Sequence, residues 1–191
     1  KVGAAVGARL GKSILELGGN NAIIISEESD LEMALQATVF GAVGTCGQRC
    51  TSTSRLIVHE NMFDQVKYRL VSINQTLFVG NPLNENVLVG PLIDQDAINN
   101  CTEDLKAIQD EGGTIIYGGE VLNSEEYEEG FYVVPVIASV ENDYHIVQKE
   151  TFAPILYLIK YEGDVENAIS IHNDVKQGLS SAIFTNNIRE G

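Results

Sequence analysis

The sequence predicts an α/β fold in which helices cover a mainly parallel sheet. Three observations carry that expectation. Short β-branched runs such as "AIIIS" at 22–26 suit strands covered on both faces. These runs alternate with amphipathic helical segments, the signature of βαβ units. The composition is that of a globular chain, with 44% apolar and 20% charged residues among 191. A chain of that length can bury a core as one ordinary domain, and no internal repeat or low-complexity tract interrupts it.

The elements follow in order. "KVGAAVGARLGK" (1–12) reads as the later part of a helix. "SILEL" (13–17) and "AIIIS" are apolar runs separated by "GGNN", which places Glu16 at the end of a strand. Ser29 and Glu32 have the S-x-x-E spacing of a capping box, ahead of a helix with Leu31, Leu35, Val39 and Ala42 on one side. After the glycine-rich "GAVGTCGQRC", "SRLIVH" (54–59) is a strand. Phe63, Val66, Leu70, Ile73 and Leu77 then recur at helical intervals. The loop "VGNPLNENVLVGPLID" leads to a helix from about Asp94, with Ile98, Cys101, Leu105 and Ile108 inward and Gly112 as its stop. "TIIYG" is a strand, "SEEYEEG" (124–130) an acidic surface loop, and "FYVVPVIASV" extended structure broken at Pro135. "ILYLIKY" (155–161), "DVENAISIHN" and "SSAIF" (180–184) complete the pattern as strand, helix and strand. Both ends read as cut, because the first helix lacks its start and "TNNIREG" could cap a helix with no room to form.

A net charge of −15, from 27 acidic and 12 basic residues, argues against a nucleic-acid partner, since phosphate binding needs a surplus of Lys and Arg. The longest apolar runs are too short to span a bilayer. Three cysteines, an odd number, with no signal peptide fit a reducing compartment, and the expected location is cytoplasmic.

The chemistry centres on "GTCGQRC" (44–50). Cys101 falls on the inward stripe of its helix, where cysteine acts as a small hydrophobe. Zinc would need four ligands, and Cys46, Cys50 and His59 make at most three. A lasting Cys46–Cys50 disulfide conflicts with the expected compartment. A cysteine hydrolase would pair Cys50 with His59, His145 or His172, none of which lies in a site-like stretch. A thiol partnered by a carboxylate remains, and Glu16 in "LELGG" is the carboxylate in the most suggestive setting.

These residues resemble the aldehyde dehydrogenase superfamily. "LELGGN" is followed 34 residues after Glu16 by the cysteine of "GQRC", and "KETFAPIL" (149–156) matches the E-x-F-x-P signature through Glu150, Phe152 and Pro154. "GNP" (80–82), "GPLI" (90–93), "TIIYGG" and "GLSSAIFT" match further stretches in order, so the resemblance covers essentially the whole chain. "ELGGNNAII", "GQRCT", "ETFAPILY" and "VKQGLSSAIFT" are similar to the antiquitin branch, the aminoadipate semialdehyde dehydrogenases.

The resemblance implies a three-layer αβα catalytic domain, with residues 1–12 ending a truncated cofactor-binding domain and 13–191 forming a catalytic domain truncated at its C-terminus. It implies Cys50 as nucleophile and Glu16 as general base, a task a carboxylate suits if burial raises its pKa toward neutrality. Glu150 would bind the nicotinamide ribose and Phe152 pack beside the ring, while Gly18 and Gly19 would let backbone approach a ligand. Arg49 and Thr51 would line the substrate pocket. Arg49 would either hold a substrate carboxylate or make a structural salt bridge. Cys46 stands where the family usually has a small residue. Implied partners are NAD, with NADP left open, an aldehyde such as a semialdehyde, and further copies of the full-length enzyme; no metal, nucleic acid or membrane is implied. The oxyanion Asn and the residues gripping the rest of the cofactor lie outside this chain, so the piece alone is expected not to work as an enzyme or bind NAD productively. Rival readings are a stand-alone binding or structural domain of the same descent, and a weak thiol-dependent esterase.

Overall fold

The computed structural model describes residues 1–127 and 130–191. Its elements run α1 (Val2–Ala8), β1 (Asn21–Ile25), α2 (Leu31–Val43), a 3-10 segment (Gly44–Gly47), β2 (Thr53–His59), α3 (Glu60–Asn74), β3 (Phe78–Val79) and β4 (Val87–Val89). Then come α4 (Gln95–Asp110), β5 (Thr114–Tyr117), β6 (Val121–Leu122), a 3-10 turn (Glu125–Tyr127), β7 (Tyr132–Val133), β8 (Val136–Ser139), α5 (His145–Gln148), β9 (Ile155–Tyr161), α6 (Val165–Asn173) and β10 (Ser181–Phe184).

The central sheet has six strands in the order β10-β1-β2-β9-β8-β5. All its pairs are parallel except β5 with β8. Register aligns Leu56, Ile57 and Val58 of β2 with Leu158, Ile159 and Lys160 of β9. Every residue of β2 is buried, and in β9 only Lys160 is exposed, as expected of strands covered on both faces. Each fully buried Leu, Ile or Val there contributes about 1.5–3 kcal/mol.

The direction of each crossover determines the layering. From β1 the chain passes through α2 to β2, and from β9 it returns through α6 to β10 at the opposite edge. Right-handed connections moving in opposite directions put α2 and α6 on opposite faces. α3 packs beside α2, and α4 covers β5. The α/β architecture with a mainly parallel sheet is therefore present.

Local differences have physical causes. Residues 13–17 form no strand, and Ile14, Leu15 and Leu17 are exposed there. Glu16 thus sits on an exposed loop, not at a strand end. The cap of α2 is Asp30, whose Oδ1 accepts the Met33 N–H at 3.1 Å, and not Ser29. An Asp one position later satisfies the same orphan donor and sets the helix start. Asp94 caps α4 as expected, and Gly112 ends it at φ 97°. Pro135 separates β7 from β8. In the acidic stretch 124–130, Glu128 and Glu129 lie outside the described residues. α1 buries none of its residues.

Candidate active site

Loops at the N-terminal ends of parallel strands meet at one edge of the sheet. Residues 18–20 precede β1, 48–52 precede β2, 149–154 precede β9 and 178–180 precede β10. The site is therefore on the edge opposite the strand C-termini, where open α/β sheets more often bind ligands.

The loop that carries Cys50 owes its shape to backbone torsion. Thr45, Cys46 and Gly47 have φ of 55°, 54° and 68°, three consecutive left-handed residues. The first two carry side chains in a region that costs energy for all but glycine. At Gly47 a Cβ would also overlap the Ala153 carbonyl. This reversal turns Cys46 inward, 1% exposed, while Cys50 is half-buried. Burial, then neighbouring Cys101, pushes the Cys46 thiol up to about 12. Cys101 is buried and pushed up to about 12 by burial and then by Asp104. All three cysteines are free, so no Cys46–Cys50 bridge is formed.

Polar side chains fix the loop on two sides. Gln48 donates from Nε2 to the Thr45 and Pro91 carbonyls at 3.2 and 3.3 Å, and its Oε1 accepts the Ile93 N–H at 2.9 Å. The Arg49 N–H donates to Ser52 Oγ at 3.1 Å, and the Ser52 N–H to the Arg49 carbonyl at 2.9 Å. Among the described residues, the Cys50 N–H has no protein acceptor, so it is available to an incoming oxygen. Asn21 donates from Nδ2 to the Cys50 carbonyl at 2.8 Å and the Ser52 carbonyl at 2.9 Å.

Gly19 joins this loop to Glu150. Its N–H donates to Glu150 Oε1 at 3.0 Å, and a Cβ on it would lie 2.6 Å from the Cys50 carbonyl oxygen. At Gly18 a Cβ would overlap the Glu150 carboxylate. Both glycines thus admit close protein neighbours. Glu150 and Phe152 line a cavity of about 400 Å³ with Gln48, Cys101, Asp104 and Lys149. Phe152 is 51% exposed beside it. Lys149 Nζ holds the buried Asp104 carboxylate at 2.7 Å, and Thr151 Oγ1 pairs with the Tyr157 hydroxyl at 3.0 Å.

Glu16 and Thr51 are exposed, and Glu16 makes no hydrogen bond or ion pair among the described residues. The apolar shelter expected around Glu16 is not formed by these residues. Among the described residues, Arg49 makes no salt bridge. Its guanidinium lies 5.4 Å from the Phe40 ring centroid and donates to the Phe40 carbonyl at 3.4 Å, near the C-terminus of α2.

The sequence reading missed Asn20, Asn21, Gln48 and Arg55. Arg55 is fully buried and spends its five N–H groups on Asn20 Oδ1, the Asn20 carbonyl, Asn142 Oδ1 and the carbonyls of Ile171 and His172. Burial lowers its pKa to about 10, with Asp174 opposing, so it stays charged at neutral pH. The available signal was a charged residue inside an otherwise apolar strand, and such a residue needs partners. Among the described residues, no group of three or more His, Cys, Asp or Glu is placed to hold a metal ion. No helix of the described residues is long and apolar enough to cross a membrane.

All residues 1–191 match the model of the aldehyde dehydrogenase family. The chain belongs to the aldehyde dehydrogenase family. It is 45% identical over 189 residues to alpha-aminoadipic semialdehyde dehydrogenase of Rattus norvegicus, covering 98% of this chain and 34% of that protein. It is 48% identical over 191 residues to a putative aldehyde dehydrogenase family 7 member A1 homolog of Caenorhabditis elegans, covering 98% and 35%. Betaine aldehyde dehydrogenase of Staphylococcus aureus, solved in complex with NAD+, superposes with a TM-score of 0.95 at 26% identity, covering 99% of this chain and 38% of that one. The chain thus spans about a third of the length of the aldehyde dehydrogenases it matches.

Proposed function

We propose that the whole protein oxidises an aldehyde to a carboxylic acid with NAD, and that this chain carries the nucleophile. The observation that carries the reading is the meeting of Cys50 and Glu150 on Gly19, with the Cys50 N–H unspent. The likeness to aminoadipic semialdehyde dehydrogenases supports a semialdehyde as substrate.

In this reading the Cys50 thiolate attacks the aldehyde carbon, forming a C–S bond and a tetrahedral thiohemiacetal. The ionised form is required because the neutral thiol is a poor nucleophile. The Cys50 N–H donates to the oxyanion as it develops. Bound NAD would supply the acceptor for the hydride lost from this carbon. The residues present fit its nicotinamide end: Oε1 of Glu150 takes one N–H from Gly19, the second oxygen remains an acceptor for a ribose hydroxyl, and the exposed Phe152 ring lies beside it. Cys50 then holds the acyl group as a thioester. Glu16, as base, takes a proton from water, whose oxygen bonds the acyl carbon and releases the acid and the thiolate.

Glu16 reaches that role only if the rest of the protein covers its loop. We assign residues 1–12 to the end of the cofactor-binding domain and 13–191 to the catalytic domain. Arg49 would have to leave Phe40 to hold a substrate carboxylate. We also propose a reducing, cytoplasmic location, as the odd number of cysteines in the sequence suggests. We also propose that the complete protein is a homo-oligomer, as the family resemblance implies.

The test is dehydrogenase activity of the complete protein with aminoadipate semialdehyde and NAD. Cys50→Ala is expected to abolish turnover, and trapping with labelled aldehyde should leave an acyl mass on the peptide containing Cys50. A Cys50→Ala protein that turns over at the wild-type rate rejects the reading. Equal loss of structure and activity in that variant would favour a structural domain instead.

A further inference from the structure

The side chain of Asn21 ties together three strands at the site. It is 3% exposed, and its amide has both donors and both acceptor positions filled. Nδ2 donates to the carbonyls of Cys50 and Ser52 at 2.8 and 2.9 Å. Oδ1 accepts the N–H groups of Leu179 and Ser180 at 2.9 and 2.8 Å. Asn21 begins β1, residues 50 and 52 lead into β2, and residues 179 and 180 lead into β10. All four backbone groups belong to residues that lie just before the first registered pairs of their strands, at Thr53 and Ser181.

We propose that Asn21 is a positioning residue that orients the Cys50 thiol. The proposal rests on Cys50 being the nucleophile. The Cys50 carbonyl is held between Asn21 Nδ2 and the bare Cα of Gly19. Holding that oxygen fixes the peptide plane after Cys50, and with it the direction of the Cα–Cβ bond. The turn from Arg49 to Ser52 closes on itself, so the Asn21 bonds are what tie it to β1 and β10. Without the amide, two carbonyls and two N–H groups lose their partners together. The peptide plane is then free to rotate, and the thiol and the Cys50 N–H turn with it. A misplacement of about 1 Å at a reacting atom can cost about a hundredfold in rate.

Asn20 provides a matched control. Its side chain is equally buried, but it donates to the Val147 carbonyl at 2.7 Å and accepts from Arg55, not from the nucleophile loop. The experiment compares wild type, Asn21→Ala, Asn21→Ser and Asn20→Ala in the complete protein, each below its own melting temperature. Two readouts are taken: kcat and KM for the aldehyde, and the pH dependence of Cys50 alkylation by iodoacetamide, located by peptide mass spectrometry. Asn21→Ala is expected to lower kcat by about 10- to 100-fold with KM within about threefold, and to displace the alkylation profile. Asn21→Ser keeps one donor and should fall between. If the alanine variant does not fold, the serine variant is judged by the same criteria. Both Asn21 variants alkylating as wild type does, with kcat lowered no more than in Asn20→Ala, would overturn the proposal. Turnover that survives Cys50→Ala would instead reject the functional reading, while alkylation still reports whether Asn21 orients the thiol.

Discussion

Gly19 gives its N–H to Glu150 at 3.0 Å while its Cα lies against the carbonyl of Cys50. One residue without a side chain thus spaces Cys50, the proposed nucleophile, from Glu150, the carboxylate proposed to hold the cofactor. The adjacent glycines should therefore fail differently when substituted. In Gly18→Ala the new methyl meets the mobile end of Glu150, which can swing aside, so the loss should appear as a raised KM for NAD with little change in melting temperature. In Gly19→Ala it meets backbone, costs about 1–3 kcal/mol of stability, and should lower kcat. Steady-state kinetics and thermal melts on the two variants check this contrast.

Glu150→Gln keeps an oxygen for the Gly19 N–H but removes the charge. A hydrogen bond to a charged group contributes about 1.5–3 kcal/mol, so NAD affinity should fall by about 10- to 100-fold with the fold intact. Calorimetry on the complete protein measures it, and unchanged affinity would remove Glu150 from the cofactor site.

The Lys149–Asp104 pair is asymmetric, with Lys149 half-exposed and Asp104 buried. Lys149→Met leaves a buried carboxylate without its cation and should destabilise by about 1–3 kcal/mol, reduced from a fully buried pair by solvent at the lysine. Adding Asp104→Asn should restore part of that loss, because it removes the charge that was left alone. A double-mutant cycle in urea tests the coupling.

Alkaline pH should unfold the chain through its hidden thiols. Cys46 and Cys101 ionise near 9.0 when unfolded but only near 12 when folded, because burial opposes the thiolate. Between those values the unfolded chain has released protons that the folded chain retains. Stability from these groups is therefore complete below about 9 and is lost as pH rises toward 12. Cys101→Ala should flatten the fall in melting temperature over that range. At mildly alkaline pH, alkylation should mark Cys50 and spare the other two.

The sheet and its helices were legible because periodicity carries them. Continuous apolar runs marked β1, β2 and β9, and the spacing of Phe63, Val66 and Leu70 marked α3. "SILEL" misled because it has a strand's composition, yet its apolar side chains stay exposed. Cys101 was legible from the inward stripe of α4. The roles of Gly19 and Asn21 were not, because both depend on contacts with residues far along the chain. A sequence shows that Asn21 is polar; it does not show which distant carbonyls it will reach. Arg49 illustrates the same limit, since stacking on Phe40 was neither of the two roles its chemistry suggested.

The left-handed turn at Thr45 and Cys46 sorts two thiols only four positions apart, one sealed and one partly exposed. For a chemist this amounts to a built-in protecting group. A probe aimed at Cys50 meets no competing thiol on its own loop, and an oxidant that reaches Cys50 finds no ready partner in Cys46. The backbone strain at two residues thereby preserves a single accessible sulfur at the mouth of the site.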